Sequence, residues 1–185
     1  ASINSTEGVL YAEIAALADD LSGRQISLNN GTTDDRIQMY FTTPSNRVSI
    51  FYKSQSGATA FILNHTLTDI TQFNKLAFKW KQNDFALWSN GTEVATQTSG
   101  VTSIANTLTK LDFQQFIGIN KFEGKTKAVA VWKEALSDQE LADLTYPTPT
   151  DPTFALDFDT IATDFTFARG SEATYVDAQG LIQST

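Results

Sequence analysis

Short runs of alternating or continuous apolar residues, separated by turn residues, extend over most of this chain. The clearest alternation lies in residues 73–81, where Leu76, Phe78 and Trp80 share one face and lysines take the other. Asn90-Gly91 separates two further runs, and this dipeptide favours a two-residue hairpin because both central residues need positive φ. The pattern predicts about nine to eleven strands, nearly all antiparallel, as in a β-sandwich.

The predicted strands are residues 8–17, 24–28, 36–41, 47–53, 58–63, 73–81, 85–89, 92–96, 113–119 and 125–133. Alanines in the first run leave a helical alternative open there. Asn29-Asn30-Gly31 and residues 54–57 predict tight turns between their flanking strands.

The pattern changes to helical after a last strand. Residues 128–132 are continuously apolar, which favours a strand covered on both faces. Ser137 followed by Glu140 spells a capping box, in which each side chain bonds the other's backbone N–H. Leu136, Leu141 and Leu144 form one apolar stripe. We therefore expect one short helix closing the sandwich.

Three regions follow from these patterns. Residues 1–145 are expected to form the sandwich. Residues 146–153 hold three of the four prolines and predict a semi-rigid linker. Residues 154–185 form an acidic C-terminal strap, or begin a further module, with strand-like runs at 154–158, 165–168 and 173–176. Because the chain starts without Met, we expect it to be a processed product or an excised fragment.

Composition narrows the classes of partner. The formal net charge is −8 and cysteine is absent. An acidic chain is repelled by nucleic-acid phosphates and anionic lipid, so we expect no nucleic-acid partner. No apolar run approaches the ~20 residues of a membrane span, so no membrane insertion is expected. Without cysteine, neither disulfides nor thiolate sites can form.

Two segments resemble the laminin-G-like, concanavalin A-like jelly-roll domain of bacteriophage tail-fibre and virion structural proteins. They are KLAFKWKQNDFALWSNGTEV and FEGKTKAVAVWKEALSDQELADLT. A family pattern of Gly-x-x-Lys-x-x-x-[Val/Ile] leading into ALSDxEL is met at Gly124, Lys127, Val131 and residues 135–141. Residues 165–183 are similar to a recurring segment of phage structural proteins.

The resemblance implies an all-β fold: an antiparallel two-sheet jelly-roll sandwich with one short C-terminal helix and a strand-like strap. It also implies a virion or extracellular location. Host-surface glycan and other virion proteins are the expected partners, with a homo-oligomer left open. Fold analogy does not by itself fix function.

Catalysis is not expected. The β-glucan hydrolases of this fold resemble one another in an E-x-D-x-(x)-E strand motif, and this chain has none. Asp157 and Asp159 are the nearest same-face pair, and they lie in the acidic tail. His65 is the single histidine, which favours neither a Ser-His-Asp device nor a His-rich metal site.

No cofactor is predicted, although the resemblance leaves calcium open. Many relatives bind calcium through Asp and Asn oxygens of rim loops. Asp19-Asp20 and Asp34-Asp35 are the candidate ligands here. Paired aspartates in loops are also ordinary turn residues.

A glycan-binding sandwich typically stacks a sugar on an exposed aromatic ring beside amide or carboxylate groups. The predicted ligand-binding residues are Trp88, Asn90, Asn83, Asp84 and Tyr52. The alternative is that Trp88 and Tyr52 belong to the core or to an interface. Trp80 is expected in the core because it shares a face with Leu76 and Phe78.

Two functions remain in competition. The first is a non-enzymatic binding module that contacts host-surface glycan through rim loops and one sheet face. The second is an architectural virion spacer or decoration domain whose faces serve protein–protein contacts. A polysaccharide-degrading enzyme is disfavoured by the missing carboxylate pair.

Overall fold

The computed structural model describes residues 3–115, 118–147, 174–176 and 182–184. They fall into two compact units, Ala1–Pro147 and Thr148–Thr185. The first unit is a sandwich, and the second contains a hairpin of two short strands. The predicted linker (146–153) lies outside the described residues beyond Pro147, and so does most of the predicted strap (154–185).

Ten strands and one α-helix make up the described part of the first unit. The strands are β1 (Gly8–Ala16), β2 (Arg24–Asn29), β3 (Arg36–Thr42), β4 (Arg47–Ser54), β5 (Thr59–Thr66), β6 (Asn74–Lys81), β7 (Asp84–Ser89), β8 (Thr92–Gln97), β9 (Lys110–Asp112) and β10 (Gly124–Trp132). The helix α1 is Asp138–Thr145, and a 3-10 turn at Gln55–Gly57 joins β4 to β5. In the second unit, β11 (Thr174–Val176) pairs with β12 (Ile182–Ser184). No helix among the described residues is long and apolar enough to cross a membrane.

The strands form two five-stranded antiparallel sheets. Sheet A has the order β10-β1-β6-β7-β8, and sheet B has the order β5-β4-β3-β2-β9. This is the predicted all-β jelly-roll architecture. Asn90 (φ 48°) and Gly91 (φ 87°) both have positive φ between β7 and β8, which confirms the predicted hairpin.

The core lies between the two sheets. Alternate residues of each strand point inward, and the largest wholly buried side chains are Trp80, Tyr52, Phe41, Phe78 and Phe85. The Tyr52 ring centroid lies 4.9 Å from that of Phe85 and 5.2 Å from that of Phe61. The predicted core position of Trp80 is confirmed.

Helix α1 covers the outer face of sheet A. Ser137 caps it with the predicted capping box, in which Glu140 accepts from the Ser137 backbone N–H at 2.8 Å. Leu141 is wholly buried against apolar residues of the sheet, namely Val9, Tyr11, Ala77, Ala86 and Trp88. Sheet A is therefore apolar on both faces. Strand β10 has apolar neighbours on both of its faces, as its continuous apolar sequence predicts.

Lys79 ties the helix to the sheet. It lies on the outward face of β6, yet its side chain is only 7% exposed because α1 covers it. The Nζ atom lies 2.9 Å from Asp84 and 3.1 Å from Asp138. Burial alone would lower the pKa of Lys79, but the two carboxylates hold it above its usual value. This buried cation is thus fully paired.

Two sequence predictions are wrong in detail. The described residues of 113–119 form no strand. The strand of this region is β9 (Lys110–Asp112), in which Leu111 pairs with Leu28. The chain turns after β9, and the Gly118 N–H donates to the Gln115 carbonyl. Phe113 and Ile119 are exposed rather than in a strand. The tight turn expected at Asn29-Asn30-Gly31 is a six-residue loop, residues 30–35, between β2 and β3.

Docking of α1 should contribute strongly to stability. Leu141→Ala is expected to lower the free energy of unfolding by about 2–5 kcal/mol, because it leaves a cavity under the helix. Gln139→Ala, on the exposed side of α1, should change it by about 0.5 kcal/mol or less. Urea denaturation followed by tryptophan fluorescence measures both, and equal midpoints would mean that the helix does not stabilise the sheet.

The cap should make helix docking sensitive to acid. Hydrogen bonds from Ser137 lower the folded-state pKa of Glu140 below 4.5, its ordinary value. The stabilisation is therefore present above the unfolded pKa and is lost as pH falls through the folded pKa. Wild type should exceed Glu140→Gln in stability at about pH 7, and the gap should close as pH falls through the folded-state pKa of Glu140. A gap that is independent of pH in denaturation curves would contradict this cause.

Candidate functional site

The two sheets present different outer faces. Helix α1 contacts β6, β7 and β8 of sheet A, so it covers that sheet. In sheet B, Ile37, Met39 and Phe41 point into the core, while the residues between them point outward. β4 alternates in the same way about Val48 and Ile50. The strands of sheet B therefore turn a mainly polar face outward.

We define the outer patch as six outward residues of β3, β4 and β5, with Arg47 at the strand end: Gln38, Tyr40, Arg47, Ser49, Phe51 and Asn64. The register brings them together. Tyr40 lies opposite Ser49, which lies opposite Asn64, and Gln38 lies opposite Phe51. Directly opposed residues have Cβ atoms about 4.5–5.5 Å apart. Three strands thus position one continuous surface.

Hydrogen bonds fix the polar floor of the outer patch. The Ser49 hydroxyl donates to Asn64 Oδ1 at 2.8 Å, and Gln38 Nε2 donates to Gln25 Oε1 at 2.9 Å. Ser49 is 1% exposed and Gln38 is 5% exposed, whereas Tyr40 is partly exposed and Asn64 is exposed. The floor is therefore preorganised, and Tyr40 and Asn64 remain accessible to solvent.

Tyr40 and Arg47 are electrostatically coupled. Burial raises the pKa of Tyr40 above 10.0, while the Ser49 hydroxyl and the positive charge of Arg47 oppose this rise. Tyr40 is thus a neutral phenol at physiological pH. Arg47 Nε is buried and has no hydrogen-bond acceptor among the described residues.

Phe51 is paired with a second arginine. The Arg36 guanidinium carbon lies 4.6 Å from the Phe51 ring centroid, which is a cation–π contact. Arg36 also donates to the Thr33 carbonyl and, at 3.4 Å, to Gln38 Oε1. Burial lowers the pKa of Arg36. These contacts hold the Phe51 ring and the guanidinium in place beside Tyr40.

The two aromatic residues predicted to contact a sugar are in the interior. Tyr52 is 0% exposed, the Ser103 N–H donates to its hydroxyl at 3.3 Å, and burial raises its pKa to about 12. Trp88 is 7% exposed and packs in the cluster under α1 with Leu141. The prediction of sugar stacking on these rings is therefore wrong, and the core alternative describes both.

The three polar residues of the predicted site are not brought together. Asn83 and Asp84 precede or begin β7 and Asn90 follows its end, so they lie about 20 Å apart. Each has a structural bond: Asn83 Oδ1 accepts from the Gly100 N–H, Asp84 binds Lys79, and Asn90 Oδ1 accepts from the Lys75 N–H. The expectation that these three residues contact a ligand remains a prediction. Asn90 also lines a cleft of about 370 Å³ between β5 and β8.

The candidate calcium ligands already have protein partners. Asp20 binds Arg24 at 2.7 Å and Asp34 lies 3.6 Å from Lys53. Asp19 accepts from the Asn46 N–H, and Asp35 accepts from the Gln55 N–H. The described residues include no group of three or more His, Asp or Glu placed to hold a metal ion.

His65 lies within β5 rather than after a strand, and burial lowers its pKa. It is opposite Val48 in the register, so it takes an inward position near the edge of the core. This single histidine has no place in the outer patch.

Sequence reasoning missed the outer patch, although a signal was available. In residues 47–53 the positions 48, 50 and 52 are apolar, and this parity places Arg47, Ser49 and Phe51 on the other face. The same parity in residues 36–41 turns Tyr40 outward. The prediction of Trp88 and Tyr52 rested on their aromatic side chains rather than on the strand parity of their positions.

Comparisons with known proteins place this architecture. Residues 10–142 match the model of the Laminin_G_3 family, described as the concanavalin A-like lectin/glucanases superfamily. No curated protein sequence matches the chain.

Three solved structures illustrate the shared fold. The Ruminococcus gnavus IT-sialidase CBM40, bound to α2,3-sialyllactose, is 19% identical over 76% of this chain and 83% of that chain, with a TM-score of 0.62. A leech intramolecular trans-sialidase is 20% identical over 78% of this chain and 24% of that chain, with a TM-score of 0.61. Domains LG4-5 of the mouse laminin α1 chain are 10% identical over 72% of this chain and 37% of that chain, with a TM-score of 0.53.

At these identities the solved structures show a common fold, and the family match covers most of the sandwich. The chain belongs to the Laminin_G_3 family of the concanavalin A-like lectin/glucanases superfamily.

Proposed function

We propose that this chain is a non-enzymatic carbohydrate-binding module and that the outer patch of sheet B is its binding surface. The observation that carries the proposal is the contrast between the two sheets. Sheet A is covered by α1, whereas sheet B presents an ordered polar face with a partly exposed tyrosine at its centre.

The chemistry of the outer patch suits a sugar. A sugar offers hydroxyl groups to hydrogen-bonding side chains and an apolar C–H face to an aromatic ring. Tyr40 supplies the ring and a phenol, and Asn64, held by the buried Ser49 hydroxyl, supplies an amide group near it. Both stand on paired strands, so binding would cost little ordering of the backbone.

Relatives in fold support a carbohydrate ligand. The Ruminococcus gnavus CBM40 structure contains α2,3-sialyllactose, and a second contains α2,6-sialyllactose. These are modules of the same fold at low identity, so they support the class of ligand and leave its identity to this chain's own residues.

Catalysis is not part of the proposal. Glycoside hydrolysis requires two carboxyl groups about 5–9.5 Å apart around the scissile bond. The outer patch consists of amide, hydroxyl, aromatic and guanidinium side chains, without Asp or Glu. A surface of this composition can bind a glycan, but it has no general acid.

The proposed setting is a phage tail fibre or appendage, with host-surface glycan as the partner and a virion or extracellular location. The basis is the resemblance of residues 75–94 and 122–145 to such proteins. Single-site affinity on an open sheet face would be weak, and display of several copies would raise the avidity.

A structural role as a virion spacer is the second candidate. Four large apolar side chains are exposed in the loops at one end of the sandwich: Leu17, Leu21, Phe113 and Ile119. Scattered single exposures are common, but several at one end favour a protein–protein contact. The two roles can coexist because none of these four side chains belongs to the outer patch.

The test is a glycan array with the purified chain and a Tyr40→Ala variant. We expect binding to one glycan class and a loss of about tenfold or more in Tyr40→Ala, because central aromatic residues dominate such surfaces. Circular dichroism and the thermal midpoint would check that the variant is folded.

Asn83→Gly is the matched control, because glycine keeps the positive φ of that turn. It should bind as wild type does. If Tyr40→Ala binds normally while Asn83→Gly does not, the site lies at the β6–β7 turn. If the folded wild type binds no glycan, the structural role replaces the binding role.

A further inference from the structure

We propose that the glycan carries an oxyanion, a carboxylate or a sulfate ester, and that Arg47 binds it. This inference rests on the proposed function of the outer patch and specifies its ligand. The observation behind it is that Arg47 Nε is buried without an acceptor and that Arg47 has no ion pair among the described residues.

Arg47 combines a buried guanidinium nitrogen with the absence of a carboxylate partner. Arg24, whose Nε is also buried without an acceptor, is held to Asp20 at 2.7 Å by its terminal nitrogen. Within the described residues, Arg47 has neither an ion pair nor a hydrogen bond, and its Nε atom is buried. Burial raises the pKa of the neighbouring Tyr40 phenol, and the positive charge of Arg47 acts against this rise.

A buried donor without an acceptor is costly. Leaving such a group unpaired forfeits its hydration, typically about 1–3 kcal/mol and more when it is charged. An oxyanion from a ligand would pair the guanidinium as a whole, since guanidinium donors bind carboxylate or sulfate oxygens through two parallel N–H···O bonds. An anion bound at Arg47 would therefore offset part of this cost.

The surrounding charges favour the same ligand. The whole chain has a net charge of −8, yet the outer patch contains Arg47 and no acidic side chain. Arg36 adds a second positive charge at the opposite end of the outer patch, over the Phe51 ring. An anionic sugar would be repelled by most of the protein and attracted here, which favours docking in one place.

Side chains near Arg47 would contact the rest of the sugar. Ser49 lies two residues from Arg47 along β4, with Tyr40 opposite it on β3 and Asn64 opposite it on β5. The oxyanion would fix the ligand at Arg47, and the accessible Tyr40 and Asn64 side chains would bond the ring hydroxyls. The three strands therefore combine an anion site with a polar surface.

Isothermal titration with 3′-sialyllactose, 3′-sulfolactose and lactose tests the inference, since the three share one disaccharide. We expect either anionic probe to bind about tenfold or more tightly than lactose. The stronger of the two identifies the oxyanion.

Three variants assign the effect to Arg47. Arg47→Met should reduce the affinity for the anionic probe about tenfold or more, while Arg47→Lys should retain part of it as a point charge. Lys53→Met is the matched control, because it removes the same charge from the same face of β4 about 20 Å away, where Asp34 already pairs it. It should bind as wild type does.

Stability separates a binding role from a structural one. Because Arg47 Nε has no partner to lose, Arg47→Met should have a thermal midpoint equal to or above that of wild type. A large fall would show that Arg47 serves the fold and would overturn the inference.

The remaining outcomes are also decisive. Equal binding of lactose and the anionic probes, or equal loss in Arg47→Met and Lys53→Met, would overturn the anion site and leave the carbohydrate-binding role standing. The same holds if the glycan array yields only neutral ligands. Silence of the folded protein toward every glycan would reject the proposed function and this inference together.

Discussion

The docking of α1 on sheet A is the constraint on which the arrangement depends. Val9, Ala77 and Trp88 make the outer face of that sheet apolar, and an apolar sheet face has to be covered. Leu141 covers it, and Lys79, held between two carboxylates, fixes the start of the helix. Helix α1 thus closes the outer face of sheet A, and the outer face of sheet B, where Tyr40 is partly exposed and Asn64 is exposed, is the surface that we propose for a ligand.

The sequence predicted the fold well, because alternation, turn residues and the capping box are local signals. Trp80 and the β7–β8 turn followed directly from parity and from Asn-Gly. The candidate site was predicted poorly because ligand exposure depends on tertiary packing. Trp88 lies on the outward face of sheet A and would be exposed without α1, and Tyr52 shares the inward parity of Val48 and Ile50.

The outer patch contains one group, Arg47, whose burial without an acceptor lowers the stability of the fold. Its floor is satisfied internally, since Ser49 and Gln38 bond to neighbouring side chains. Arg47 is the exception, a buried donor left without an acceptor. Proteins commonly retain such unsatisfied groups where function requires them. The strands keep the patch rigid, so the cost falls on one side chain rather than on the fold.

The most direct test of the central claim is nuclear magnetic resonance mapping of the ¹⁵N-labelled chain, titrated with the strongest ligand from the glycan array. The account predicts amide shift changes concentrated at residues 38–42, 47–51 and 62–66 of sheet B. Changes at Asn83, Asp84, Asn90 or along α1, with sheet B unchanged, would contradict it.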